Sequence, residues 1–132
     1  MSTRTVSHTV SSPVSSPIEL IATLPTDPQS RKIPITVILG FKTVEDEEPM
    51  SLASYHYAIP YRDTDQVVST PLLDTNNDWI RDITRQVATI MCKKFHKPCY
   101  VGWSNALGQH TTPDQLFVVK NCIEFINDQL NK

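Results

Sequence analysis

Three side chains that could perform chemistry lie close together in the segment "CKKFHKPC". Cys92, His96 and Cys99 fall within eight residues. Thiolates and imidazoles are common zinc ligands, and a thiol beside an imidazole base can act as a nucleophile. Cys92 and His96 are four residues apart, so a helix would place them on one face. The segment therefore raises two hypotheses, half of a metal site and an activated thiol.

The spacing in this segment argues against both hypotheses. Structural zinc sites usually use cysteine pairs separated by roughly two to four residues, whereas six residues separate Cys92 from Cys99. An activated thiol also needs a site for the developing oxyanion, and no glycine-rich segment marks one. A simpler interpretation is that His96 lies at the end of a helix stopped by Pro98, and that Cys99 is a small buried side chain of the next strand. We therefore predict no metal, cofactor or catalytic residue.

Three carboxylates spaced by four residues, Asp74, Asp78 and Asp82, offer a second possible acid–base group. Arg81 and Arg85 fall on the same predicted helix, where they suit exposed ion pairs better than catalysis. There is no glycine-rich strand-to-helix loop of the kind that binds phosphate. The chain is therefore predicted not to be an enzyme.

Composition limits the class of protein further. The chain has 132 residues, of which 39% are hydrophobic and 20% charged, so one folded domain spanning residues 1–132 is expected. The net charge is −2 and the basic residues are scattered, which does not favour nucleic acid as a partner. Three cysteines and an N-terminus without an apolar run predict free thiols in a reducing compartment, the cytoplasm or the nucleus.

The pattern of apolar residues predicts five strands, a helix, a sixth strand and a second helix. The first helix should begin at Asp78, and the second should be capped by Thr112 with Pro113 at its first position. The acidic segment 43–51 should be a flexible loop. Consecutive strands favour an α+β fold with an antiparallel sheet. The predicted strands are 3–10, 18–24, 33–41, 52–59, 66–73 and 99–104.

Both helices have one apolar face, so together they can cover one side of the sheet. Several strands are nevertheless apolar on both sides, since Ile21, Ile38 and Tyr100 alternate with the main apolar positions. The uncovered side is therefore a candidate protein–protein surface, and the alternative is a sandwich that closes on itself within the chain. The residues predicted to be buried in the helices are Ile80, Ile83, Val87, Ile90, Met91, Phe95, Leu116, Val119, Ile123, Ile126 and Leu130.

Four strings of the sequence resemble the fungal form of the proteasome assembly chaperone 4 family, in the same order. They are "LIATLPTDPQSRKIPITVILGFK", "SYHYAIP", "PLLDTNNDWIRDITRQVATI" and "FHKPCYVGWS". The resemblance runs from about Glu19 to Ser104. It implies a six-stranded antiparallel sheet with the helices on one side, dimerising through the sheet.

The resemblance also implies a function without catalysis or cofactor. It implies a heterodimer with a similarly folded sister, proteasome assembly chaperone 3. The pair would bind an α-subunit of the 20S proteasome, notably α5, promote assembly of the α-ring and leave before the particle matures. The alternative is a stand-alone, homodimeric protein-binding module.

We assign contact residues to each expected partner. The predicted contacts with the sister chaperone are Thr36, Ile38, Tyr55 and Tyr57. The predicted contacts with the α-subunit are Arg81, Arg85, Asn105 and His110.

Overall fold

The computed structural model describes residues 3–12, 15–27, 33–41, 53–61, 66–73, 75, 77–104 and 113–131. It confirms the predicted α+β class, with six strands and two helices in the predicted order. The acidic segment 43–51, Asp74, Asn105, His110 and Thr112 lie outside the described residues. The elements are β1 (Thr3–Ser12), β2 (Ser15–Pro25), β3 (Ile35–Phe41), β4 (Ser54–Pro60), β5 (Val67–Leu73), α1 (Asp78–Phe95), β6 (Cys99–Trp103) and α2 (Gln115–Leu130).

The six strands form one sheet in the order β1-β2-β3-β6-β4-β5. Every neighbouring pair is antiparallel except β3 and β6, which run parallel, so the sheet is mixed where a wholly antiparallel one was expected. The reason is the helical connection between β5 and β6. Helix α1 carries the chain back to the end of the sheet at which β5 begins. Strand β6 therefore runs in the same direction as β5. Both strands are antiparallel to β4 between them, and β6 is consequently parallel to β3 on its other side.

Helix α1 has local signals at both ends. The Asn77 side chain accepts a 3.0 Å hydrogen bond from the Ile80 amide, which satisfies one of the free N–H groups of the first turn. At the other end His96 is left-handed, with φ 55°, and its amide donates to the Cys92 carbonyl at 2.9 Å. Pro98 follows and cannot continue the helix. The start and end predicted for this helix are confirmed.

Helix α2 differs from the prediction at its beginning. It starts at Gln115 after the N-cap Asp114, not at Pro113, and the Asp114 side chain makes no capping hydrogen bond. Leu116, predicted to be buried, is 73% exposed because it lies in the first turn, to one side of the buried stripe. Ile90 of α1 was also predicted to be buried and is 41% exposed. The buried stripe of α2 consists of Val118, Val119, Cys122, Ile123, Ile126 and Leu130.

Both helices pack on the same side of the sheet. Helix α1 contacts β4, β5 and β6, while α2 contacts β1, β2 and α1. Alternate residues of each central strand face the helices, as in β3, where Ile35, Val37 and Leu39 are fully buried. Burial of one such side chain contributes roughly 1.5–3 kcal/mol to stability. The contacts between this side of the sheet and the two helices form the core. No described helix is long and apolar enough to cross a membrane.

Aromatic contacts fix the helices over the sheet at two places. Trp79 at the start of α1 lies 5.2 Å from Trp103 and 6.0 Å from Phe41, measured between ring centroids. At the opposite edge of the sheet the His8 ring of β1 stacks on Phe125 of α2 at 4.5 Å. These contacts hold one helix over the ends of β3 and β6 and the other over the β1 edge.

Candidate functional site

The cysteine–histidine segment forms part of the core and does not assemble a chemical site. Cys92 and Cys99 are fully buried, whereas His96 is exposed at the end of α1. Burial raises the pKa of Cys92 to about 11 and that of Cys99 still further, so both thiols stay protonated near neutral pH. The Cys99 thiol donates to the Lys97 carbonyl at 3.3 Å. The described residues contain no cluster of three His, Cys, Asp or Glu side chains that could hold a metal ion.

The side of the sheet that faces away from the helices carries the predicted contacts with the sister chaperone, and we call it the open face. On β3, Thr36 and Ile38 alternate with the buried residues, and on β4 Tyr55 and Tyr57 do the same. Strand β6 lies between these two strands and brings Tyr100 to the same face. The structure therefore places all four predicted residues together, on the strands that flank β6.

Three tyrosines form the centre of the open face. The Tyr57 and Tyr100 rings are stacked, with centroids 4.4 Å apart and planes inclined by 21°. The Tyr55 ring lies 5.8 Å from Tyr100. Partial burial raises the pKa of Tyr55 and of Tyr57, and the neighbouring Tyr100 hydroxyl raises each further. Half-buried tyrosines that are already held in place are well suited to a protein interface, because little side-chain entropy remains to be lost on binding.

Apolar side chains flank the tyrosines on the outer strands of the open face. Ile21 of β2 is 41% exposed and pairs with Ile38 across the strands. On β5, Val68 and Leu73 are 44% and 42% exposed, and Leu73 pairs with Tyr55. Each strand from β2 to β5 thus places at least one apolar or aromatic side chain on the open face, which is typical of a surface that another protein covers.

Sequence reasoning did not name all of the contributors to this face. Tyr100, Val68 and Leu73 were not among the predicted contact residues, although Tyr100 stood out as a large side chain opposite Val101 and Trp103. The pattern of residues along the chain does not give the order of the strands in the sheet. Only the insertion of β6 beside β4 shows that Tyr100 meets Tyr57.

Two of the predicted α-subunit contacts, Arg81 and Arg85, lie on α1, on the helical side of the sheet. Arg81 pairs with Asp78 at 3.3 Å and also donates to the Thr75 carbonyl at 2.7 Å. Arg85 pairs with Asp82 at 3.6 Å. Exposed pairs of this kind contribute at most about 1 kcal/mol, so both arginines can exchange these partners for a bound protein. Asn105 and His110 lie outside the described residues.

Comparisons with known proteins agree on one family. The sequence model for 20S proteasome chaperone assembly proteins 3 and 4 matches residues 1–127. Proteasome chaperone 4 of Saccharomyces cerevisiae is 36% identical over 148 residues, covering 100% of both chains. A chain of the crystal structure of a novel chaperone complex for yeast 20S proteasome assembly is 39% identical, with a TM-score of 0.79 and coverage of 98% of this chain and 99% of that one.

Proposed function

The chain belongs to the family of 20S proteasome chaperone assembly proteins 3 and 4, and from this membership we propose that it acts as one half of a heterodimer whose second member covers the open face. Its role is that of a proteasome assembly chaperone, without catalysis. The observation that carries the proposed mode of pairing is the position of both helices on one side of the sheet. The other side is left with a tyrosine cluster and exposed aliphatic side chains.

The size of the open face supports this pairing. Six strands of five to eleven residues, about 4.8 Å apart and each rising about 3.3 Å per residue, span roughly 24 Å across the sheet and roughly 16–36 Å along it. With the relief of the side chains this gives an accessible area that approaches the roughly 800 Å² per partner of a stable protein–protein interface. A sister chaperone with a similar uncovered sheet would bury both faces at once.

We propose that the helical side of the same molecule contacts a proteasome α-subunit, of which α5 is the specific candidate. Arg81 and Arg85 lie on α1, so they stay accessible when a partner covers the open face. The choice of α5 rests on the family resemblance alone. The chaperone would leave before the particle matures, because a subunit arriving later would collide with it and so favour its release. The three free and buried thiols suit action in the cytoplasm or nucleus.

Affinity purification tests the proposed partners. The tagged chain is expected to recover a sister chaperone and a proteasome α-subunit, with α5 as the prominent one, when the bound proteins are identified by mass spectrometry. Tyr57→Lys should lose the sister chaperone, because it places a charge in the tyrosine cluster. Leu116→Lys adds the same charge at an exposed position of α2 and should retain the sister chaperone. Recovery of neither partner by the unmodified chain would refute the proposal.

Sedimentation of the isolated chain addresses the alternative of a stand-alone homodimeric module. A chain that waits for a sister should sediment as a monomer or as a weak, concentration-dependent dimer. Adding the sister chaperone should convert it to a defined heterodimer. A stable homodimer that does not exchange with the sister would favour the alternative.

A further inference from the structure

A shallow depression interrupts the open face between β2 and β3. Gly40 lies at its floor, opposite Glu19 on β2. Two positions along, Ile21 and Ile38 face each other and also line the depression. Because glycine has no side chain, β3 contributes no side-chain atoms here, while the Gly40 backbone itself is buried. Ser104, whose amide donates to the Leu39 carbonyl at 2.8 Å, closes the far side.

The depression has the dimensions of one side-chain end. Its volume is about 40 Å³, and a group the size of one water molecule needs about 10–15 Å³ of such volume. About three non-hydrogen groups can therefore enter, which corresponds to an ammonium with two methylenes or to much of a guanidinium. The walls are mainly apolar, and Glu19 is the one charged residue among those that line the depression.

Glu19 is the one charged side chain that the strand register places on the open face within the described residues. The other residues that the register places on that face are neutral: some are polar, such as Thr9 and Thr23, and the rest are apolar or aromatic. A partner that covered Glu19 without compensating its charge would strip a carboxylate of water at a large loss of affinity. The covering surface must therefore provide a cation or several hydrogen-bond donors at this point.

A long basic side chain satisfies both features of the depression. Lysine and arginine carry apolar methylene stems that can lie along Ile21 and Ile38, and their cationic ends can reach Glu19. An acidic or short polar side chain fits neither the walls nor the charge. A second copy of this chain offers no lysine or arginine on the described strands of its open face, so it provides no matching cation from that surface.

We propose that the depression between Glu19, Ile21, Ile38 and Gly40 receives one lysine or arginine side chain of the sister chaperone. Glu19 thereby favours the heterodimer over a homodimer. The inference rests on the proposed function, since it names the chemistry that the sister presents to the open face. It makes Glu19 a residue that determines partner choice.

The test measures the dissociation constant of the pair formed with the purified sister chaperone from the same organism, at about 50 mM and about 500 mM salt. Glu19→Gln keeps the shape of the side chain and removes its charge. The substitution should raise the dissociation constant about tenfold at low salt. It should also make the dissociation constant rise less between low and high salt than it does for the unmodified chain. Glu124→Gln makes the same change on the exposed side of α2 and should leave both values as in the unmodified chain.

Charge reversal gives a second and independent measurement. Glu19→Lys should weaken the pair by about a hundredfold, because it sets two cations against each other. Each lysine and arginine on the sister's sheet is then changed in turn to glutamate. One of these variants is expected to restore binding to Glu19→Lys at least tenfold while it weakens binding to the unmodified chain.

The outcomes separate this inference from the proposed function. One outcome is that the unmodified pair forms while Glu19→Gln binds the sister as tightly as the unmodified chain, with the same dependence on salt. In that case the inference is wrong and the heterodimer stands. Failure of every sister variant to restore Glu19→Lys overturns the inference in the same way. If the unmodified chain and the sister do not associate at all, the pairing proposed above fails, and the inference fails with it.

Discussion

Removal of Tyr100 should weaken both the heterodimer and the isolated fold, and the two effects can be measured separately. Tyr100 is half-buried in the single chain and stacks on Tyr57 at 4.4 Å. An aromatic side chain buries about 150–250 Å² in full, and with about a third of this still exposed, on the order of 50–80 Å² of Tyr100 is left for a partner to cover. At about 25 cal/mol per Å² this area contributes about 1–2 kcal/mol to binding, which is a loss of about 5- to 30-fold in affinity for Tyr100→Ala.

The same substitution has a separate effect on the isolated chain. Loss of the stacked contact with Tyr57 and of the surface that Tyr100 already buries in the single chain should lower the free energy of unfolding by about 3 kcal/mol. Titration calorimetry with the sister chaperone measures the first effect, and urea unfolding of the isolated chain measures the second. Phe117→Ala is the control, because Phe117 is an aromatic residue 37% exposed on α2, away from the open face. The reasoning is refuted if Tyr100→Ala binds the sister within twofold of the unmodified chain, or if Phe117→Ala weakens binding as much.

Three further predictions concern helix α1, a buried thiol and the helical surface. Asn77→Ala should lower the free energy of unfolding by about 1 kcal/mol in a urea titration, because the Ile80 amide loses its capping acceptor, whereas Asn77→Asp should retain most of it. Burial raises the pKa of Cys122 from 9.0 to about 12, so the unfolded chain releases this proton first as the pH rises. The free energy of unfolding should therefore fall between about pH 8 and about pH 10. Cys122→Ala should make that fall smaller by about 1 kcal/mol, and an unchanged fall would contradict the burial of the Cys122 thiol. The double variant Arg81→Glu, Arg85→Glu should lose the proteasome α-subunit in affinity purification while it retains the sister, and a simultaneous loss of both would argue against separate contact surfaces.

The confirmed parts of the fold are those with local causes. The helical spacing of apolar residues from Asp78 onwards and the stop at Pro98 are short-range signals, and they predicted the first helix from its start to its end. Period-two alternation likewise predicted which side of β2 is buried, with Leu20 on the core side and Ile21 on the other. In each case the deciding interaction joins residues only a few positions apart.

The errors arose where packing between elements decides. Leu116 fits the helical spacing of α2, but it lies in the first turn, beside the stripe that packs on the sheet and on α1. The helix also begins at Gln115, and the Thr112–Pro113 signal did not predict that start. The parallel pair of β3 and β6 could not be predicted from alternation, since alternation is the same for parallel and antiparallel strands.

The candidate site divides in the same way. By itself the sequence determined that Ile38 lies opposite the buried positions of its strand, because side-chain direction alternates along any strand. It placed Tyr55 and Tyr57 on one face of β4 but left open whether that face points outward, and the structure decides this by burying His56 instead. Only the tertiary structure decided that β6 enters between β3 and β4, which stacks Tyr100 on Tyr57, and that Gly40 faces Glu19. Strand order depends on contacts between residues far apart in the chain, and no local period encodes it.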